Sequence, residues 1–192
     1  IMLNSLCQGH LLVLFTSPDT EAIIAAMERY QATVFYGVPT LYEYLKDHKD
    51  TDKANGKRLK LIVSGADTLH ESTVSGWTRR TGSRITEGYG LSETAAISHI
   101  NPIDRPKTGS FGCPVELVEA AILNAETLEF TTPGETGELV LAGPNVMAGY
   151  WNRPEETAKA FVERNGRRWL RTGDIVRMDE EGYFHFYDRS KD

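Results

Sequence analysis

The chain has 192 residues, 40% of them hydrophobic and 25% charged, with 21 basic against 27 acidic side chains and a net charge of −6. That is the profile of an ordinary globular protein with room for one large domain or two small ones. The acidic balance leaves no footprint for nucleic acid or an anionic membrane, and no apolar run approaches the roughly 20 residues that span a bilayer. The two cysteines, Cys7 and Cys113, are too far apart for a metal or redox spacing and read as free thiols in a reducing, cytoplasmic compartment. The chain opens on Ile1 with no charged leader, so it reads as a piece of something longer.

In chain order, Leu11 to Phe15 is a short apolar run that reads as a buried strand. Ser17-Pro18 gives a cap followed by proline at a first helical position, and Ile23, Ile24, Met27 and Tyr30 then recur at helical spacing. Thr33 to Tyr36 predicts a second strand and Pro39 to His48 a second helix. Lys49 to Lys57 is a polar loop. Leu59 to Val63 predicts a strand, Leu69 to Arg80 a helix and Arg84 to Glu87 a further strand. Strand and helix alternating across short loops predict an α/β fold, a mostly parallel sheet flanked by helices. In such sheets ligands sit beyond the carboxyl ends of the strands. Ser64-Gly65-Ala66-Asp67 and Gly88-Tyr89-Gly90 are both expected there, on one edge of the sheet.

After Asn101 the texture changes. Prolines and glycines punctuate short strand-like runs at Val115 to Leu123, Glu138 to Leu141, Asp174 to Met178 and Tyr183 to Tyr187, with one helix pattern from Pro154 to Phe161. The expectation is a β-rich lobe, a distorted barrel. The predicted organisation is 1–101 as the α/β lobe, 102–187 as the β-rich lobe, and 188–192 as a hinge to a further domain.

One stretch carries the clearest chemistry. Gly88-Tyr89-Gly90-Leu91-Ser92-Glu93-Thr94 offers an aromatic face between two glycines, then a hydroxyl and a carboxylate suited to phosphate or a hard cation. It reads as a glycine elbow at the end of a strand and as part of a nucleotide site. Lys107 to Gly112 fails the phosphate-loop pattern, because its lysine precedes the glycines, and reads as a turn. The five histidines show no metal spacing, and no Gly-x-Ser-x-Gly elbow supplies a hydrolase nucleophile. Asp174, after Thr172-Gly173, reads as an acid at the beginning of a strand.

Taken in order, Gly65-Ala66, the stretch from Gly88 to Thr94, Gly137 to Thr157, Trp169 to Asp174 and Tyr187 to Asp192 closely resemble the adenylate-forming (AMP-binding) superfamily. Its members include acyl-CoA synthetases, peptide-synthetase adenylation domains and beetle luciferases. The resemblance implies that ATP and a carboxylic acid form an acyl-adenylate, whose acyl group then passes to coenzyme A. It implies that Tyr89 stacks on adenine, with the backbone of Gly65, Ala66 and Asp67 at the base edge and Gly90 beside it. Ser92 stands near the phosphates and Glu93 ligates Mg²⁺. The family mostly has threonine where this chain has Ser92, so the hydroxyl is kept and the methyl lost.

By the same resemblance Asp174 grips the ribose hydroxyls and Arg189 also reaches the ribose. Gly88 and Val38-Pro39-Thr40 border the acyl pocket, and Lys191 is the hinge. Asp188-Arg189, in place of the commoner Gly-Arg, leans toward fatty or aryl acids over amino acids. The family's phosphate loop is expected before position 1 and its catalytic lysine beyond Asp192. Two alternatives stand beside the ligase: a non-catalytic nucleotide-binding fragment, and a peptide-synthetase adenylation domain.

Overall fold

The structure, a computed structural model, describes residues 2–54 and 56–189, with only the backbone of 2–4 and of Arg189. It divides into two compact units, 1–86 and 87–192.

The first unit is built from helices on a parallel pair of strands. Helix α1 (Met2–Cys7) precedes the stretch 8–19, in which Leu11 to Phe15 forms no strand; Leu11 is 74% exposed. An apolar run without periodicity needs a neighbouring strand to become one, and among the described residues it pairs with none. Helix α2 (Thr20–Tyr30) starts after Asp19, whose carboxylate accepts hydrogen bonds from the Glu21 and Ala22 amides at 3.0 and 3.2 Å. The cap is therefore Asp19 and not Ser17, as suits a short acid one residue before a helix. Strand β1 (Val34–Gly37) leads into α3 (Pro39–Asp47), with proline in the first turn where its missing N–H costs nothing. Strand β2 (Leu61–Ser64) pairs with β1 in parallel, Val34 opposite Leu61, and α4 (Glu71–Thr81) follows.

The core of this unit joins Ile23, Ile24 and Met27 of α2 to Tyr42 and Leu45 of α3, Ile62 of β2 and Val74 and Trp77 of α4. Tyr42 is its centre. Its ring meets Phe35 and Trp77 edge-on at 5.5 and 5.7 Å, and its hydroxyl donates to the Val63 carbonyl at 2.8 Å. Burial pushes its phenol pKa up, so the hydroxyl stays a donor.

The unit boundary falls inside β3 (Thr86–Leu91), which carries Gly88-Tyr89-Gly90 within the strand. This corrects the expected elbow. The chain turns later, through a tight 3-10 turn at Ser92–Thr94, and returns antiparallel as β4 (Ala96–Ile100). Gly90 serves a close approach, not a turn: a Cβ there would lie 1.6 Å from the Ala96 carbonyl oxygen. Strand β5 (Cys113–Pro114) pairs antiparallel with β4.

The second sheet of this unit has the order β10-β9-β7-β6, with β8 also on β9. Its strands are β6 (Glu119–Leu123), β7 (Thr136–Ala142), β8 (Phe161–Arg164), β9 (Arg167–Met178) and β10 (Phe184–Arg189). Strand β7 is buried on both faces. Leu139 and Leu141 pack with Val176 and Phe184 on one side, and Val140 and Ala142 with Trp169 on the other, as the two-residue period of a strand requires. The expected helix at Pro154 is the short α5 (Pro154–Lys159) and stops before Phe161, which opens β8 because its ring belongs to a strand pairing with Leu170.

Strand β9 runs unbroken through Thr172-Gly173-Asp174. The expected turn there is a bulge: Glu138 faces Ile175 and Val140 faces Arg171, so Leu139 alone opposes three residues of β9. Gly173 takes φ +77°, a left-handed value that favours glycine. Asp174 therefore sits in mid-strand and not at a strand's beginning.

Candidate active site

Two sequence-predicted residues from opposite ends of the second unit meet directly. The Tyr89 hydroxyl donates to Asp174 Oδ2 at 2.5 Å, although 85 positions separate them. Asp174 is 1% exposed, and a buried carboxylate is held where hydrogen-bond donors converge on it. The bulge of β9 brings it there, with its own amide donating to Thr172 Oγ1 at 3.1 Å. In the β10–β9 ladder the Arg189 backbone lies opposite Asp174. The Arg189 side chain and Lys191 lie outside the described residues.

Tyr89 is half-buried, and its ring plane is set by two neighbours. Phe111 lies 4.7 Å away, tilted by 34°, and His99 stands edge-on at 5.8 Å. His99 is fully buried, and burial pushes its pKa down to about 3, so near neutral pH it packs as an uncharged ring. One ring nitrogen, Nδ1, lies 3.1 Å from Ser98 Oγ. The neighbouring glycines differ: Gly88 is half-buried and Gly90 exposed.

Ser92 and Glu93 open the turn after β3, Ser92 exposed and Glu93 half-buried. The Tyr150 hydroxyl donates to Glu93 Oε1 at 2.7 Å, and the Glu93 carbonyl accepts from the Met147 amide at 2.8 Å. The bond to Glu93 is also the main reason that the Tyr150 phenol pKa is raised. Among the described residues no group of three or more His, Cys, Asp or Glu side chains could hold a metal. A single half-buried carboxylate still fits Mg²⁺, which is commonly held by one or two carboxylates with phosphate oxygens and water. The donor set suits a cation that arrives with a nucleotide and not a preformed cage.

In the first unit, Gly65, Ala66 and Asp67 leave the end of β2. Ala66 adopts φ +76°, a conformation that costs an L-residue about 1–2 kcal/mol. Asp67 Oδ1 accepts from the Thr68 amide at 2.7 Å. Val38, Pro39 and Thr40 form the start of α3, with Val38 exposed.

Lys107 is engaged far from a phosphate-loop geometry, holding Asp179 at 2.6 Å and Glu181 at 2.7 Å. Two residues escaped the sequence reading. Tyr150 meets Glu93 across 57 positions, a distance no local spacing reveals. Glu138 is 5% exposed, with one oxygen taking the Arg171 guanidinium and the other the Gly173 amide. Its signal was present: a lone acid in an otherwise apolar strand.

The chain thus has an α/β unit and an antiparallel unit, the second with an aromatic ring on a buried acid. The fold is that of the adenylate-forming enzymes: apo MatB from Rhodopseudomonas palustris superposes with a TM-score of 0.87 at 31% identity, covering 98% of this chain and 36% of that one. The model of the AMP-binding enzyme family matches residues 1–151. The long-chain-fatty-acid–CoA ligase of Bacillus subtilis (strain 168) is 39% identical over 193 residues, covering 100% of this chain and 34% of that protein. The feruloyl-CoA synthase of an Amycolatopsis species is 35% identical over 196 residues, covering 100% and 38%. The chain belongs to the AMP-binding enzyme family, and it spans about a third of the length of these curated relatives. No helix among the described residues is long and apolar enough to cross a membrane.

Proposed function

We propose that the whole protein is an ATP-dependent acid–thiol ligase, acting in the cytoplasm on a fatty or aryl carboxylic acid. The acid's carboxylate attacks the α-phosphorus of ATP, giving acyl-AMP and pyrophosphate. The thiol of coenzyme A then takes the acyl group and AMP leaves. The observation that carries the reading is the Tyr89–Asp174 hydrogen bond, which joins a flat ring to a buried carboxylate at 2.5 Å. A nucleoside needs both, a face for its base and an acceptor for its ribose hydroxyls.

In this reading Tyr89 stacks on adenine, held in plane by Phe111 and His99. Gly90 lies beside the base, and Gly88 borders the acyl group. Asp174 exchanges the Tyr89 phenol for ribose hydroxyls, joined by Arg189. Ser92 donates to a phosphate oxygen, and Glu93 holds Mg²⁺ while Tyr150 fixes its carboxylate. When bound, the cation neutralises charge on the departing pyrophosphate. Lys191 is the hinge about which a further domain turns between the two half-reactions. The names of the relatives, one a fatty-acid ligase and one a feruloyl-CoA synthase, support the fatty or aryl class. The free thiols Cys7 and Cys113 are in keeping with a reducing compartment.

The test is isotope exchange between pyrophosphate and ATP in the whole protein, with a panel of fatty and aryl acids. Exchange that appears only with an acid, and then supports thioester formation with coenzyme A, is the expected result. Absence of exchange across the panel overturns the ligase reading.

A further inference from the structure

We propose that Glu138 is a positioning residue for Asp174, acting through the bulge of β9; the inference rests on Asp174 being the ribose acid. A bulge gives up ladder hydrogen bonds, and other groups must replace them. Here side chains do so. Thr172 Oγ1 donates to the Leu139 carbonyl at 2.8 Å, the Asp174 amide donates to Thr172 Oγ1 at 3.1 Å, and the buried Gly173 amide donates to Glu138 Oε1 at 3.0 Å.

Glu138 divides its two oxygens between two tasks. Oε2 takes both Nε and Nη2 of Arg171, at 2.9 and 2.5 Å, which leaves Oε1 for the Gly173 amide. Glu138 and Arg171 thus grip the bulge from both strands, Arg171 three residues before Asp174 on β9 and Glu138 opposite Ile175 on β7. A carboxylate suits this place because both of its partners are donors. Glutamine offers one acceptor and one donor, so its amide nitrogen must face either the guanidinium or the Gly173 amide. An ion pair with only one partner buried, as here, adds little stability by itself. What marks this one is the backbone amide that it holds.

The experiment compares binding of AMP and of 2′,3′-dideoxy-AMP to the whole protein by calorimetry, since only AMP offers hydroxyls to Asp174. The wild type is expected to prefer AMP. Glu138→Gln is expected to weaken AMP about tenfold, the size of one charge-assisted hydrogen bond, with the dideoxy analogue little changed. Equal weakening of both, or of neither, overturns the positioning role.

Two double variants decide the matter even where the single variant does not fold, because both remove the pair of charges together. Glu138→Gln with Arg171→Met frees the amide oxygen for Gly173 and is expected to keep the preference for AMP. Glu138→Leu with Arg171→Met removes the acceptor that Glu138 offers that amide and is expected to lose it. The same preference in both doubles overturns the proposal. Asp174→Asn separates the two levels: an unchanged preference there removes the ribose reading itself, whereas a lost preference beside an unaffected Glu138→Gln removes only the positioning role.

Discussion

Tyr42 and Tyr89 are built alike and used differently. Each ring is held by two neighbours, Tyr42 by Phe35 and Trp77, Tyr89 by Phe111 and His99. Each hydroxyl makes a strong bond, at 2.8 and 2.5 Å. The acceptors separate them. Tyr42 donates to the main-chain carbonyl of Val63 from a fully buried place, and no ligand can replace that partner. Tyr89 is half-buried and donates to a side-chain carboxylate. A phenol in that place can be exchanged for another hydroxyl, so the same aromatic device fixes a core in one unit and primes a site in the other.

The largest effect is expected from removing the wall behind Tyr42. Trp77 is fully buried, and Trp77→Ala should cost about 3–5 kcal/mol in urea unfolding followed by circular dichroism. A cost below about 1 kcal/mol means that the core collapses around the gap and that Tyr42 is not anchored by it. On the other side of the comparison, Asp174→Ala leaves the aromatic platform and removes the exchangeable acceptor. Acid-dependent pyrophosphate exchange in the whole protein should lose roughly 1.5–3 kcal/mol of kcat/KM for ATP, about tenfold to more than a hundredfold. Wild-type exchange in this variant shows that the carboxylate is structural only.

The two tyrosines also measure the comparison against each other. Tyr42→Phe removes one donor from the buried Val63 carbonyl and should cost about 1 kcal/mol of stability. Tyr89→Phe keeps the ring, and the hydroxyl it removes is one that the ribose displaces. AMP affinity should change by less than about threefold, within the net contribution of one neutral hydrogen bond. A tenfold loss in Tyr89→Phe means that the phenol remains bonded in the complex.

Elements with a local signature were legible in the sequence. The helices α2, α3 and α4 declared themselves through apolar residues at helical spacing, and Pro39 marked the start of α3. Features that depend on a partner strand were not. Leu11 to Phe15 carries the composition of a strand, yet no neighbour makes it one. Ala96 to Ile100 became a strand because β3 continues through its glycines and needs a partner. Thr172-Gly173 reads as a turn in isolation, and only the pairing with β7, from Glu138 to Val140, makes it a bulge. For the site, Tyr89, Glu93 and Asp174 could be named from the family pattern. Tyr150 could not, since what identifies it is a contact across the fold, while Glu138 left one local mark, a lone acid in an otherwise apolar strand.

The smallest effect concerns the hairpin that carries Phe184 behind Phe111 and His99. Lys107 lies between Asp179 and Glu181 and over the Tyr183 ring at 4.9 Å, while His185 Nε2 meets Asp179 Oδ2 at 3.0 Å. Hydrogen bonds to Asp179 and Glu181 push the Lys107 pKa up to about 12 from an ordinary 10.5. A folded pKa above the unfolded one contributes stability that is complete below pH 10.5 and is lost as pH rises through about 12. Asp179 has the opposite sign. Burial alone would raise its pKa, but hydrogen bonds from Lys107, His185 and the Tyr183 and Glu181 amides outweigh that and hold it well below the usual carboxylate range. Its contribution is present above an unfolded pKa of 3.8 and is lost as pH falls through the folded value. The melting temperature of Lys107→Met should therefore lie slightly below that of the wild type near pH 8, with the gap narrowing between pH 10.5 and 12. A gap that stays constant across that window means that Lys107 acts through the packing of its stem on Tyr183 and not through its charge.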